Sequence, residues 1–131
     1  MGGLTNMDDV LQSITMRVDR EAIRAYAEIT GDFNPIHVDP EFAATTSMGG
    51  VIAHGTLSLN LVLQAIGKTL GAQALKGATV DVRFVKPVRE GDLLEAGGKA
   101  DARVPGKYEV WVRNATGVAV IEGVVSILPD Q

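Results

Sequence analysis

The chain contains no cysteine. Disulfides, thiolate metal sites and a cysteine nucleophile are excluded at once. Histidine is nearly absent as well, with two in 131 residues. No apolar run approaches the ~18 residues that a membrane span needs. Basic stretches are missing, and the net charge is −4, which argues against a nucleic-acid partner and against an anionic membrane surface. The opening MGGLTNMDDV has glycine and acid where a secretory signal would place base followed by apolar residues. A cytoplasmic protein is the expectation.

What remains is a chain that is 46% hydrophobic and 21% charged, of a length that suits one domain over 1–131 with a real core. Within Met7 to Val18, Ile14, Met16 and Val18 alternate with polar residues and predict a short first strand. Asp19 is placed to cap a helix that starts at Arg20 and stops at Gly31. The stretch GDFNPIHVDP, residues 31–40, then reads as a loop, and Asp39-Pro40 opens a short helix to about Thr45. From His54 to Leu70 runs the longest predicted helix. Its leucines, Val62, Ala65 and Ile66 surround much of the cylinder, so burial on most sides is expected. Beyond Gly71 the period changes to two: ATVDVRFVKPV, GDLLEAGGKADARV, KYEVWVRNA and VAVIEGVVSIL predict strands, with a bulge or bend at Gly97-Gly98. Tyr108, Val110 and Val112 should share one face, opposite Glu109, Trp111 and Arg113. The class is α+β, with an antiparallel sheet curled about one apolar helix.

The scarce histidines sit where chemistry is easiest to argue. Asp32 and His37 lie on one short stretch stiffened by Pro35. A carboxylate and an imidazole near one water can share proton transfer. Gly55 sits at the start of the apolar helix, where free amides and the helix dipole favour a developing negative charge. A proton-transfer pair beside an oxyanion site suits chemistry alpha to a carbonyl. Metal ligation by Asp32, His37 and His54 finds no support in their spacing, and no metal is expected.

The run YAEITGDFNPIHVDPEFAATTSMGGVIAHGTLSLNLV closely resembles the MaoC-like (R)-specific enoyl-CoA hydratases, the hydratase-2 group of the hot-dog fold. Asp32, Asn34, Pro35 and His37 match the family's G-D-x-N-P-x-H motif, and Ala53-His54-Gly55 its helix-start motif. VRFVKPVREGD is similar to the strand and turn that follow. The resemblance implies a long central helix wrapped by a curved antiparallel sheet, and a homodimer or a dimer of dimers. It implies reversible addition of water to a trans-2-enoyl thioester carried on coenzyme A or an acyl carrier protein, as in fatty acid metabolism. No cofactor is implied beyond the coenzyme A of the substrate. Asp32 and His37 would handle the water and the alpha-carbon proton, and the Gly55 amide would hold the thioester oxygen. Asn34, His54, Thr56 and Lys86 would contact the substrate; for His54, positioning or capping the helix is the plainer role. Lys86 and Arg89 beside Pro87 suit either coenzyme A phosphates or a solvated sheet edge. One departure stands out: some members carry a serine where Leu63 stands here, with Ser58 and Asn60 earlier on the helix. Other uses of the fold are a hot-dog thioesterase and a non-catalytic acyl-thioester-binding subunit.

Overall fold

The computed structural model describes residues 9–127. Its strands are β1 (Ile14–Val18), β2 (Thr79–Phe84), β3 (Asp92–Ala100), β4 (Lys107–Asn114) and β5 (Ala119–Ser126). They form one sheet in the order β1-β3-β4-β5-β2, every neighbouring pair antiparallel. The alternation read on β4 is real. Tyr108, Val110 and Val112 are buried, while the Arg113 guanidinium lies 4.4 Å over the Trp111 ring on the outer face.

The helices are α1 (Arg20–Thr30), α2 (Pro35–Val38), α3 (Pro40–Ala44) and α4 (Gly55–Leu70). The α4 side chains Leu57, Leu61, Val62, Ala65 and Ile66 join Leu94, Ala96, Val110, Val112, Val120, Ile121 and Val125 of the sheet in one core. A helix laid on a curved antiparallel sheet is the hot-dog arrangement. The expected caps are present: Asp19 Oδ1 accepts from the Ala22 amide, and Gly31 takes the left-handed conformation at φ 71. The Asp39 carboxylate accepts from the amides of Glu41 and Phe42 at the start of α3. At the β3–β4 turn, amides of Arg103 and Val104 donate to Asp101 and hold its carboxyl below the usual range. No helix among the described residues is long and apolar enough to cross a membrane.

Four expectations need correction. The loop after Gly31 contains a helical turn, α2, because Asn34 supplies the capping oxygen and Pro35 the preset φ. The central helix is not covered all round; Asn60, Leu63, Gln64 and Lys68 line an open groove of about 570 Å³. Gly97 and Gly98 do not form a bulge, since β3 pairs regularly with β4 through both; the register shift lies at Val112/Arg113 instead. Glycine is required there for space. A Cβ on Gly97 would come within 2.8 Å of the Trp111 indole nitrogen, and one on Gly98 within 2.7 Å of Leu11. Finally, β2 stops at Phe84, ahead of Pro87, which cannot donate to a ladder. The expected strand positions Met7 and Leu128 lie outside the described residues.

Gly123 is the tightest point of the sheet. A Cβ there would meet Asp81 O and lie 2.6 Å from Val82 Cα. Both are backbone atoms of the paired strand β2 and cannot rotate away. Gly123→Ala is expected to lower stability by about 3 kcal/mol, at the upper end for overpacking. Urea denaturation should show a clearly lower midpoint; an unchanged midpoint would contradict this packing.

Candidate active site

The chain after α1 is built to bring two side chains together. Gly31 breaks α1, Asp32 Oδ1 accepts from the Asn34 amide at 3.2 Å, and Asn34 Oδ1 accepts from the Ile36 amide at 3.1 Å. These bonds fix a tight corner. The turn α2 then carries His37 back toward Asp32, leaving His37 Nε2 4.0 Å from Asp32 Oδ2. The imidazole is largely buried and the carboxylate half-exposed.

The ring orientation of His37 is set by its other nitrogen, which lies 2.7 Å from the Ile52 carbonyl oxygen. A carbonyl only accepts, so Nδ1 carries the proton. In the neutral ring, Nε2 then presents a lone pair toward Asp32. The Ile52 segment is itself pinned, because its amide donates to Ile36 O and the next amide to Val88 O. Both partners of this bond are therefore tied to the core.

His54 closes the site from below. It precedes α4 without capping it through its side chain. Instead Nε2 donates to the Asp32 carbonyl at 3.0 Å, and the ring stacks on His37 with centroids 3.9 Å apart. Tyr26 meets His54 edge-on at 5.1 Å and donates its hydroxyl to Thr56 Oγ1 at 2.7 Å. His54 thus positions the Asp32–His37 loop against the tip of α4.

Asp32, His37 and His54 do converge, each offering a ligand atom within 4.8 Å of the others. Their sequence spacing gave no hint of this. The convergence suits stacking better than metal binding. The rings lie stacked, with centroids 3.9 Å apart and planes 25° from parallel, and His37 Nδ1 and His54 Nε2 already donate to the carbonyls of Ile52 and Asp32.

The tip of α4 opens onto a cavity of about 270 Å³. Gly55 and Ser58 line it, with Ile52, Phe84, Val88 and Ile121 as apolar walls and the exposed Lys86 at its margin. The first amides of any helix lack intrahelical acceptors, so the Gly55 N–H is available to a ligand. Glycine has a second reason to be there: a Cβ would press 3.0 Å from the Phe84 ring.

Of the residues singled out in the sequence, Asp32, His37, His54, Gly55 and Thr56 form one cluster about the α4 tip. Lys86 borders the adjoining cavity. Asn34 is placed differently, since its amide oxygen caps α2 and its side chain is exposed. Arg89 donates to the Met48 carbonyl, a structural role that neither sequence reading foresaw. Sequence reasoning missed Ile52, Tyr26 and Phe84. The first acts through a backbone carbonyl, and the other two read as ordinary apolar positions.

The family profile described as MaoC like domain matches residues 5–119. The chain belongs to the MaoC-like family. Among relatives of this MaoC-like chain, an (R)-specific enoyl-CoA hydratase of Rhodospirillum rubrum is 31% identical over 119 residues, 88% of this chain and 83% of that protein. A 3-hydroxybutyryl-CoA dehydratase of Methylorubrum extorquens is 41% identical over 70 residues, 53% of this chain, and the match spans only 45% of its length. In structure, an R-hydratase of Pseudomonas aeruginosa superposes with a TM-score of 0.77 at 31% identity, covering 92% of this chain and 80% of that one.

Proposed function

We propose that this MaoC-like protein is a hydro-lyase that adds water across a trans-2-enoyl thioester to give an (R)-3-hydroxyacyl thioester, and catalyses the reverse dehydration. One observation carries the reading: two acceptor atoms, Asp32 Oδ2 and His37 Nε2, stand 4.0 Å apart with no direct bond between them. A water at the usual ~2.8 Å from both would subtend roughly 90°, close to its own bond angle. It would donate one proton to each group and turn its oxygen lone pairs toward the substrate. The oxygen adds to the beta carbon; the pair takes up a proton from the water and returns one to the alpha carbon. Between those events the negative charge rests on the thioester oxygen, which the Gly55 amide is placed to hold.

The names of the relatives support the (R) product and the thioester handle. Coenzyme A is the favoured carrier, with Lys86 beside the cavity to meet its phosphates; an acyl carrier protein presents the same thioester. The chain needs no cofactor of its own in this scheme. A cytoplasmic homodimer or dimer of dimers, active in fatty acid metabolism, completes the proposal. The edge strand β2 and the exposed Val80, Phe84 and Val85 are suited to pairing with a second copy.

The test follows crotonyl-CoA with the purified protein, recording enoyl absorbance and free thiol together. Loss of absorbance without thiol, with (R)-3-hydroxybutyryl-CoA as product, is the expected result. Thiol release would make the protein a thioesterase. Neither change would leave it an acyl-thioester-binding subunit.

A further inference from the structure

Ser58 has no role in the scheme so far. It is 1% exposed, and its hydroxyl has no hydrogen-bond partner. A serine inside a helix commonly donates to the carbonyl one turn back, and this one does not. A buried polar group left unpaired needs an explanation.

Its position supplies one. Ser58 lies three residues after Gly55, on the same face of α4, and both line the 270 Å³ cavity. Helical side chains lean toward the helix N-terminus, so a residue covers the turn preceding its own Cα. The Ser58 hydroxyl therefore leans over the turn that begins at Gly55. Of the side chains that line the cavity, Ile52, Phe84, Val88 and Ile121 accept nothing, and the acceptor one turn back on the chain, His54 Nδ1, is itself unpaired and makes no hydrogen bond to this hydroxyl. An acyl tail would also leave the hydroxyl unpaired. The one acceptor at the reacting end of an enoyl thioester is its carbonyl oxygen.

We infer that Ser58 is a catalytic residue, the second donor of a two-donor oxyanion site, acting with the Gly55 amide on the thioester oxygen. This deepens the hydro-lyase reading and rests on it. Its hydrogen bond is strongest when charge develops on that oxygen, so the effect falls on kcat more than on KM. The unpaired buried hydroxyl is a local loss of stability kept for function.

The experiment compares wild type, Ser58→Ala and Ser58→Thr in crotonyl-CoA hydration and in thermal melting. Ser58→Ala should lower kcat by about 10²-fold, the scale of losing one oxyanion donor, with KM within about twofold. Its Tm should equal or exceed that of wild type, because the unpaired hydroxyl is gone. Ser58→Thr keeps a hydroxyl and should recover most of the lost kcat. Three results would overturn the inference: kcat unchanged in Ser58→Ala, a loss confined to KM, or a fall in Tm that accompanies the loss of activity. Wild-type turnover with an indifferent Ser58→Ala removes only this inference. Absence of wild-type hydration removes the hydro-lyase reading and this inference with it.

Discussion

Asp32→Asn should yield a folded protein that hydrates crotonyl-CoA about 10³-fold more slowly than wild type, or worse. The side chain is half-exposed and its structural work is one accepted bond from the Asn34 amide. An asparagine oxygen can accept that bond equally, so melting should barely change. What is lost is the second acceptor facing the gap to His37. The new amide group would donate into that gap, and a water there could no longer donate in both directions. General acid–base groups contribute about 10²–10⁴-fold, and 10³ corresponds to roughly 4 kcal/mol of barrier. Steady-state kinetics beside a thermal melt checks both halves. Near-normal turnover in a folded variant would remove Asp32 from the mechanism.

His37→Gln should lose a similar factor, about 10²–10⁴ in kcat, but with a different signature. This ring stacks on His54 and donates to Ile52 O, so its removal also costs roughly 1 kcal/mol of stability through the orphaned carbonyl. A modest drop in melting temperature should accompany the activity loss, unlike the Asp32 variant. If the two groups hold one water, the double variant should fall within about tenfold of the worse single variant, because groups that act as a unit are not additive. Multiplication of the two effects would mean separate roles.

Much of this was legible before any coordinates, for identifiable reasons. Asp19, Gly31 and Asp39 announced helix ends because caps are local chemistry, settled within three or four residues. The β4 faces followed from alternation against a single core. Sites where chain segments approach each other resisted. Gly97 and Gly98 looked like a bulge or bend, and Gly123 passed as an ordinary strand position, whereas what requires glycine at these places is the nearness of Trp111, Leu11 and the β2 backbone. Strand order belongs to the same class. The open face of α4 was hidden because leucine at 63 reads as core whether or not anything covers it.

For the site, the motif residues were visible as a set, yet the sequence could not say how they would be oriented. That His37 turns its Nδ1 to Ile52 O and its Nε2 to Asp32 depends on the segment 51–54 crossing behind α2. The convergence of His54 on the same point is also tertiary. Ser58 is the opposite case. It was plain in the sequence as a polar residue on an apolar helix, but only the cavity and the unpaired hydroxyl give it a reason.

The most direct test is a crystal structure of the Asp32→Asn variant with crotonyl-CoA bound. The thioester oxygen should lie about 3 Å from the Gly55 amide, with the beta carbon facing the gap between position 32 and His37 Nε2. An enoyl group seated in the open groove beside Leu63, or a thioester oxygen turned away from the α4 tip, would contradict the account.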